Sequence, residues 1–288
     1  MFAICLSYRN LPLAALIAGA CALSGHAVRA QPAPAGEIKG TAVVHTAASA
    51  RDAIEGGFLV LPTAVTGGAV YAGPLRTAPK DAKAKVPLVV FLHGSSGLGL
   101  KAIGEWQTWL ATLGVASFAP DSFSLPDRLT YKSPISKDVY EQIHTLRASE
   151  IALAARAVSQ SPWADPSRIV LAGTSEGATA VARYGGAEFA GRIIYSWSCE
   201  NNYFVKEHGS VFPANQPVLN VVSSTDVFFS PSNAWLGNPA ARGHCAEALK
   251  DNKNATIVLI PGAPHTLLNF PAARSATAGF LAELKAAK

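Results

Sequence analysis

A chain of 288 residues with 49% hydrophobic and 15% charged side chains belongs among ordinary globular proteins and is far from a disordered composition. Its length suits one large domain or two small ones. A net charge of +5, with no cluster of Lys and Arg anywhere, argues against nucleic acid as a partner.

The first thirty residues differ from the rest. Arg9 precedes the apolar run "LPLAALIAGACALSG", and "HAVRA" follows, with the small residues Val28 and Ala30 ahead of a cleavage point. This pattern predicts a secretory signal peptide over residues 1–30, cut after Ala30, and hence a periplasmic or secreted protein. The apolar run, about 15 residues, is too short to span a bilayer. "AGAC" loosely resembles a lipoprotein cleavage box, so lipidation at Cys21 is the minor alternative, although the usual Leu ahead of the small residues is missing.

Export changes how the remainder is interpreted. Of the 24 basic side chains, Arg9 and Arg29 leave with the leader, so 22 face 19 acidic ones and the net charge falls to +3. Cys5 and Cys21 leave as well. Cys199 and Cys245 remain, and two cysteines in an oxidising compartment predict one disulfide, the alternative being two buried thiols. His244 beside Cys245 lacks a second spaced ligand pair, so neither a zinc site nor a cofactor is expected.

Residues 31–53, beginning "QPAPAGE", are expected to form a linker, and residues 54–288 a single domain. Short apolar runs rich in β-branched residues follow in order: "FLVLPT" (58–63), "VPLVVFLHG" (86–94), "VASFAPD" (115–121), "RIVLAGTS" (168–175), "RIIYSWS" (192–198), "PVLNVVSSTD" (217–226) and "ATIVLIPG" (255–262). Several are apolar on successive residues, as strands covered on both faces must be. Helices are predicted between them, over about 100–113, 136–160, 176–185 and 271–287. In the longest, Ser136 caps the start, Asp138 favours the positive end, and Val139, Ile143, Leu146, Leu153 and Ala157 recur at helical spacing. Strand and helix in alternation predict an α/β fold, a mostly parallel sheet with helices on both faces.

In such a sheet, ligands gather beyond the carboxyl ends of the strands. Three residues there carry chemistry. Ser175 lies within Gly173-Thr174-Ser175-Glu176-Gly177, a Gly-x-Ser-x-Gly turn that is weak evidence alone in a chain with 24 glycines. Asp226 ends "PVLNVVSSTD" and His265 follows "IVLIPGAP", so serine, aspartate and histidine occur in the order a nucleophile, its orienting acid and its base require. The glycines let Ser175 adopt a strained angle between strand and helix. The N–H of Glu176, at the helix start, is one expected donor to a developing oxyanion, and Ser95 in "HGSSG" is the second.

Other interpretations stay open at each position. Asp226 could simply cap "VFFSPSN", and Glu200 is a rival acid one strand earlier. His93 is expected to hold the "HGSSG" loop rather than act as base. Glu176 either shapes the pocket floor or sits at a solvated helix start. Trp197, Tyr203, Phe228 and Phe229 could form an apolar binding surface, or belong to the core.

Together "VVFLHGSSG", "FAPDSF", "RIVLAGTSEGA", "SSTD" and "GAPHT" resemble the α/β-hydrolase superfamily, and within it the dienelactone hydrolase-like group, from about residue 57 to the C-terminus. Dienelactone hydrolases proper have a cysteine nucleophile where this chain has Ser175, a departure that favours a serine esterase or related acyl hydrolase. The resemblance implies a cofactor-free hydrolase of small or extended esters, working through an acyl-enzyme, and the leader implies that it is exported. A peptidase or acyltransferase on the same scaffold is the second reading, and a silent binding protein the third.

Overall fold

The computed structural model describes residues 32–286, so the expected leader, with Cys21, lies outside the described residues. In chain order the elements are β1 (Glu37–Lys39), α1 (Ala47–Glu55), β2 (Phe58–Leu61), α2 (Thr63–Thr66), β3 (Tyr71–Pro74), β4 (Val86–Leu92), α3 (Lys101–Thr112), β5 (Ala116–Ala119), β6 (Thr130–Lys132), α4 (Lys137–Ser159), β7 (Ala164–Thr174), α5 (Glu176–Arg183), β8 (Gly191–Tyr195), β9 (Val218–Ser223), β10 (Ala255–Ile260) and α6 (Pro271–Ala286). Among the described residues, no helix is long and apolar enough to cross a membrane.

Eight strands form one sheet in the order β10-β9-β8-β7-β4-β5-β2-β3. All neighbours from β10 to β5 pair in parallel, and β2 and β3 add an antiparallel edge. The unbroken apolar runs have the cause the sequence suggested. In β4, Leu88, Val90 and Leu92 enter one buried cluster with Tyr140, Ile151 and Val158 of α4, while Val89 and Phe91 enter the opposite one with Trp106 of α3 and Phe280 of α6. Each such side chain contributes roughly 1.5–3 kcal/mol through burial.

The N-terminal segment holds structure that the sequence pattern did not reveal. β1 pairs with β6, and α1 begins with a capping box in which Thr46 accepts from Ser49 N while the Ser49 hydroxyl accepts from Thr46 N. Ser136 caps α4 as expected, but the buried face is turned by about one residue. It comprises Tyr140, Ile143, His144, Leu146, Arg147, Glu150, Ile151, Ala154 and Val158, so Ile143 and Leu146 are buried as expected, whereas Val139, Leu153 and Ala157 are half-buried.

Successive strands run outward in opposite directions from the β4–β7 pair, β5 on one side and β8 on the other. This is the switch point of the sheet, where neighbouring loops diverge and leave a crevice at the carboxyl edge.

Candidate active site

β7 ends at Thr174, and α5 starts at Glu176. Between them Ser175 has φ 53° and ψ −120°, a conformation that side chains disfavour. Its N–H donates to Tyr195 O of β8 at 3.0 Å, which fixes the turn to the sheet. The flanking glycines are steric requirements. A Cβ on Gly177 would lie 2.3 Å from Leu92 O, and one on Gly173 would lie 2.7 Å from the carbonyl carbon of Gly177. The Ser175 side chain therefore faces the crevice.

Asp226 follows β9 and is 2% exposed. Its Oδ1 accepts from Phe228 N at 2.8 Å and Phe229 N at 3.0 Å, while Oδ2 is 2.7 Å from His265 Nδ1. The capping role and the histidine contact therefore coexist, one on each carboxylate oxygen. His265 is held from its other side as well, because Ser196 Oγ donates to its carbonyl oxygen at 2.5 Å and Phe228 packs edge-on against its ring at 4.7 Å. Glu200 accepts instead from Arg242 N and Gly243 N, at 2.7 and 2.9 Å, and does not reach His265.

Ser175, His265 and Ser95 line one cavity of about 270 Å³, together with Tyr131, Tyr203, Phe204, Phe228 and Phe229. Ser175 and His265 share its wall without being hydrogen-bonded to each other. Trp197 is fully buried behind Phe229, with ring centroids 4.9 Å apart, so it belongs to the core. The excursion after β8 brings Tyr203 and Phe204 here. It is fastened by the Cys199–Cys245 disulfide, by His144 Nε2 on Phe204 O at 3.0 Å, and by Lys206 N on Glu141 at 2.8 Å.

Glu176 is not solvated. It is fully buried, with Oε1 accepting from Arg128 Nη2 at 2.6 Å and Oε2 accepting from the Tyr131 hydroxyl at 3.0 Å. Burial and the Glu176 charge together raise the Tyr131 phenol well above its usual pKa, so it stays protonated and donates. Arg147, also fully buried, lies 3.4 Å from Glu176 Oε1 and donates from Nη2 to His93 O at 3.0 Å. Its Nε is 3.2 Å from Glu150 Oε2, an ion pair without hydrogen-bond alignment. The other Glu150 oxygen is 3.1 Å from His45 Nε2, on the segment before α1. Burial alone would raise the Glu150 carboxyl, but the Arg147 charge and then His45 outweigh it and hold it below the usual range.

His93 is fully buried, and its ring joins the loop on both sides. Nδ1 is 2.7 Å from Gly94 O, and Nε2 accepts from Ser122 N at 3.2 Å. Burial and then the Arg147 charge push its pKa well below the usual value, so the ring is neutral and donates from Nδ1.

Arg128, Tyr131, Arg147, Glu150 and His45 belong to none of the motifs legible in the sequence. A signal existed for two of them. Arg147 stands four residues after Ile143 and four before Ile151, and Glu150 follows three later, so both charges interrupt the apolar stripe of α4. Among the described residues, no group of three or more His, Cys, Asp and Glu side chains could hold a metal ion.

Compared by sequence, the chain matches no protein-family model and no curated protein. Its fold, however, recurs widely among solved structures. One is a putative dienelactone hydrolase from Klebsiella pneumoniae, with TM-score 0.51 and 17% identity over 72% of this chain and 90% of that one. Another is a cold-adapted esterase from an Arctic intertidal metagenomic library, with TM-score 0.51 and 15% identity over 74% and 86%. A third is a Thermus thermophilus protein, TT1662, with TM-score 0.51 and 18% identity over 70% and 90%. The chain has the α/β-hydrolase fold.

Proposed function

We propose that this protein is an exported serine hydrolase that cleaves carboxylic esters, with Ser175 as nucleophile, His265 as general base and acid, and Asp226 as the acid that orients it. The observation that carries this reading is the 2.7 Å contact between Asp226 and His265 Nδ1, which leaves Nε2 of the same ring for Ser175 across one cavity.

In the first half-reaction, Ser175 Oγ attacks the ester carbonyl while His265 Nε2 takes its proton. Asp226 holds the proton on Nδ1 and stabilises the imidazolium that forms. The negative charge developing on the carbonyl oxygen is met by the main-chain N–H groups of Glu176, the first residue of α5, and Ser95. Collapse of the tetrahedral species expels the alcohol, which receives its proton from His265. Water, activated by the same ring, then releases the acid and restores Ser175. The gap between Ser175 and His265 closes when substrate is bound, as is usual for catalytic hydrogen bonds in ligand-free enzymes.

The buried ions fit the same reading. Glu176 adjoins the nucleophile and His93 adjoins the Gly94–Ser95 loop, and the Arg147 guanidinium touches both. Arg147 would thus be a positioning residue that sets the spacing of the two oxyanion donors. The aromatic walls suit a short or flat acyl group, and the described Cys199–Cys245 disulfide supports an oxidising compartment.

Turnover of p-nitrophenyl acetate and butyrate, beside labelling by a fluorophosphonate, tests the proposal. Both are expected in the parent protein and absent from Ser175→Ala. Labelling that persists in Ser175→Ala, or turnover that survives it, overturns the assignment.

A further inference from the structure

A groove of about 920 Å³ opens on the far side of the loop that borders the catalytic cavity. The loop after β4 divides the two spaces. Gly94–Gly97 line the cavity, Leu98 and Gly99 line the groove, and Leu100 lines both. The groove lies along α3, with Phe58 at the start of β2 and Asp121 just beyond β5 on its other side. Because β2 runs antiparallel to β5, both residues sit at the carboxyl edge of the sheet, as Ser175 does.

Its polar groups include buried atoms without partners, Gln107 Oε1 and Arg274 Nε. Gln107, fully buried, donates from Nε2 to Phe58 O at 3.2 Å, while its Oε1 has no partner. The hydroxyl protons of Thr108 and Thr112 go to helix carbonyls of Gly104 and Trp109, at 2.8 and 2.7 Å, leaving only lone pairs for a ligand. The carboxylates of Asp121 and Glu105 also line the groove, each already accepting in part, Asp121 from Phe123 N at 3.0 Å and Glu105 from Asn269 Nδ2 at 3.3 Å. The two cations are partly engaged, and Arg274 Nε is a buried donor without a partner. Lys101 pairs with Glu105 at 3.2 Å, and Arg274 donates to Asn269 Oδ1 at 2.7 Å with its guanidinium over the Trp109 ring. Two acidic and two basic side chains leave the groove neutral, so it offers several hydrogen-bond acceptors, a donor at Arg274 Nε and apolar surface without net charge.

A ligand complementary to such a groove is itself neutral, rich in hydroxyl donors, and apolar on one face. We propose that the groove is the subsite for a polyhydroxylated alcohol, a sugar or similar polyol, whose ester with a short or aromatic acid is cleaved in the adjoining cavity. The inference rests on the ester-hydrolase reading above and names the substrate class for it. The acyl group occupies the aromatic cavity, the scissile bond lies at Ser175, and the alcohol passes Leu100 into the groove.

Two substitutions test it without touching the catalytic residues. A Cβ on Gly104 meets only Phe58, at 3.9 Å, so the backbone admits a side chain there, and Gly104→Phe adds bulk to the groove wall while improving helix propensity. Gln107→Leu removes the unpartnered acceptor. The substrates are p-nitrophenyl acetate, whose leaving group is a single ring, and cellobiose monoacetate, whose leaving group is a disaccharide. Each variant is expected to lower kcat/KM for the disaccharide ester about tenfold, through KM, and to change the p-nitrophenyl ester by less than about twofold. Equal effects on both substrates, or no effect on either, overturn the subsite.

Binding separates this failure from failure of the ester-hydrolase reading. Cellobiose is titrated into Ser175→Ala with and without Gly104→Phe, followed by amide chemical shifts. Saturable shifts at α3 that vanish with Gly104→Phe support the groove even if no ester is turned over. Their absence at tens of millimolar sugar rejects it even if simple esters are cleaved.

Discussion

The guanidinium of Arg147 donates from Nη2 to the main-chain carbonyl of His93 at 3.0 Å, joining α4 to the residue before the Gly94–Ser95 loop. A buried cation in a helix face that otherwise packs apolar side chains is an expensive way to fill space, since apolar replacements of whole buried ion clusters are often neutral or stabilising. Its placement between His93 and Glu176 is what an apolar side chain could not reproduce.

Arg147→Met alone leaves the Glu150 charge without its principal partner and is expected to cost about 3–5 kcal/mol, measured by urea unfolding. The double variant Arg147→Met/Glu150→Gln is expected to recover much of that loss. Its kcat on p-nitrophenyl acetate should still fall about tenfold or more with little change in KM, because the proposed oxyanion donors, Glu176 N and Ser95 N, lose their common anchor. Recovery of kcat along with stability would show Arg147 to be structural only.

Ser175 stands at φ 53°, where a glycine is unstrained. Ser175→Gly is therefore expected to be more stable than Ser175→Ala by about 1 kcal/mol, while both are inactive. Paired urea denaturation curves check this. Equal midpoints would mean that the turn carries no strain.

Two buried histidines set the acid limit of stability. Burial lowers His144 from 6.5 to about 4, and His93 is held well below its usual value by burial and then the Arg147 charge. In the unfolded chain both take up protons below about pH 6.5, whereas in the folded chain they do not, so the unfolded state binds more protons. Stability is therefore full above pH 6.5 and falls as pH drops from there toward 4. His144 alone accounts for a loss on the order of 2–3 kcal/mol over that window. His144→Gln should flatten the profile of urea midpoint against pH, and an unchanged slope would exclude this cause.

The Cys199–Cys245 disulfide spans 46 residues and fastens the segment that brings Tyr203 and Phe204 to the cavity. Chain entropy gives it about 4 kcal/mol of stabilisation. Cys199→Ala/Cys245→Ala should lose that much in urea unfolding, and the parent should match the variant once reduced. A parent indifferent to reductant would refute the estimate.

Much of this protein is determined by its sequence. Unbroken apolar runs such as "VPLVVFL" and "RIVLAG" specify strands buried on both faces, because neither face can meet water, and helices alternating with them specify a parallel sheet. Ser175, Asp226 and His265 were legible because each follows a strand, and strand ends meet at one edge. The cap at Ser136 was legible as a local pattern.

The rest depended on tertiary structure. Local pattern says nothing about which charges will be buried together, so the cluster formed by Glu176, Arg128, Arg147, Glu150 and His45, drawn from four separate places in the chain, became visible only when α4 packed under the switch point. The same packing decided that Glu176 is buried and that Glu200 faces the backbone of residues 242–243. It also turned the two threonine hydroxyls of α3 to its own carbonyls and left Gln107 Oε1 and Arg274 Nε without partners in the groove. Periodicity fixes which residues face inward; only the packed sheet fixes which of them meet.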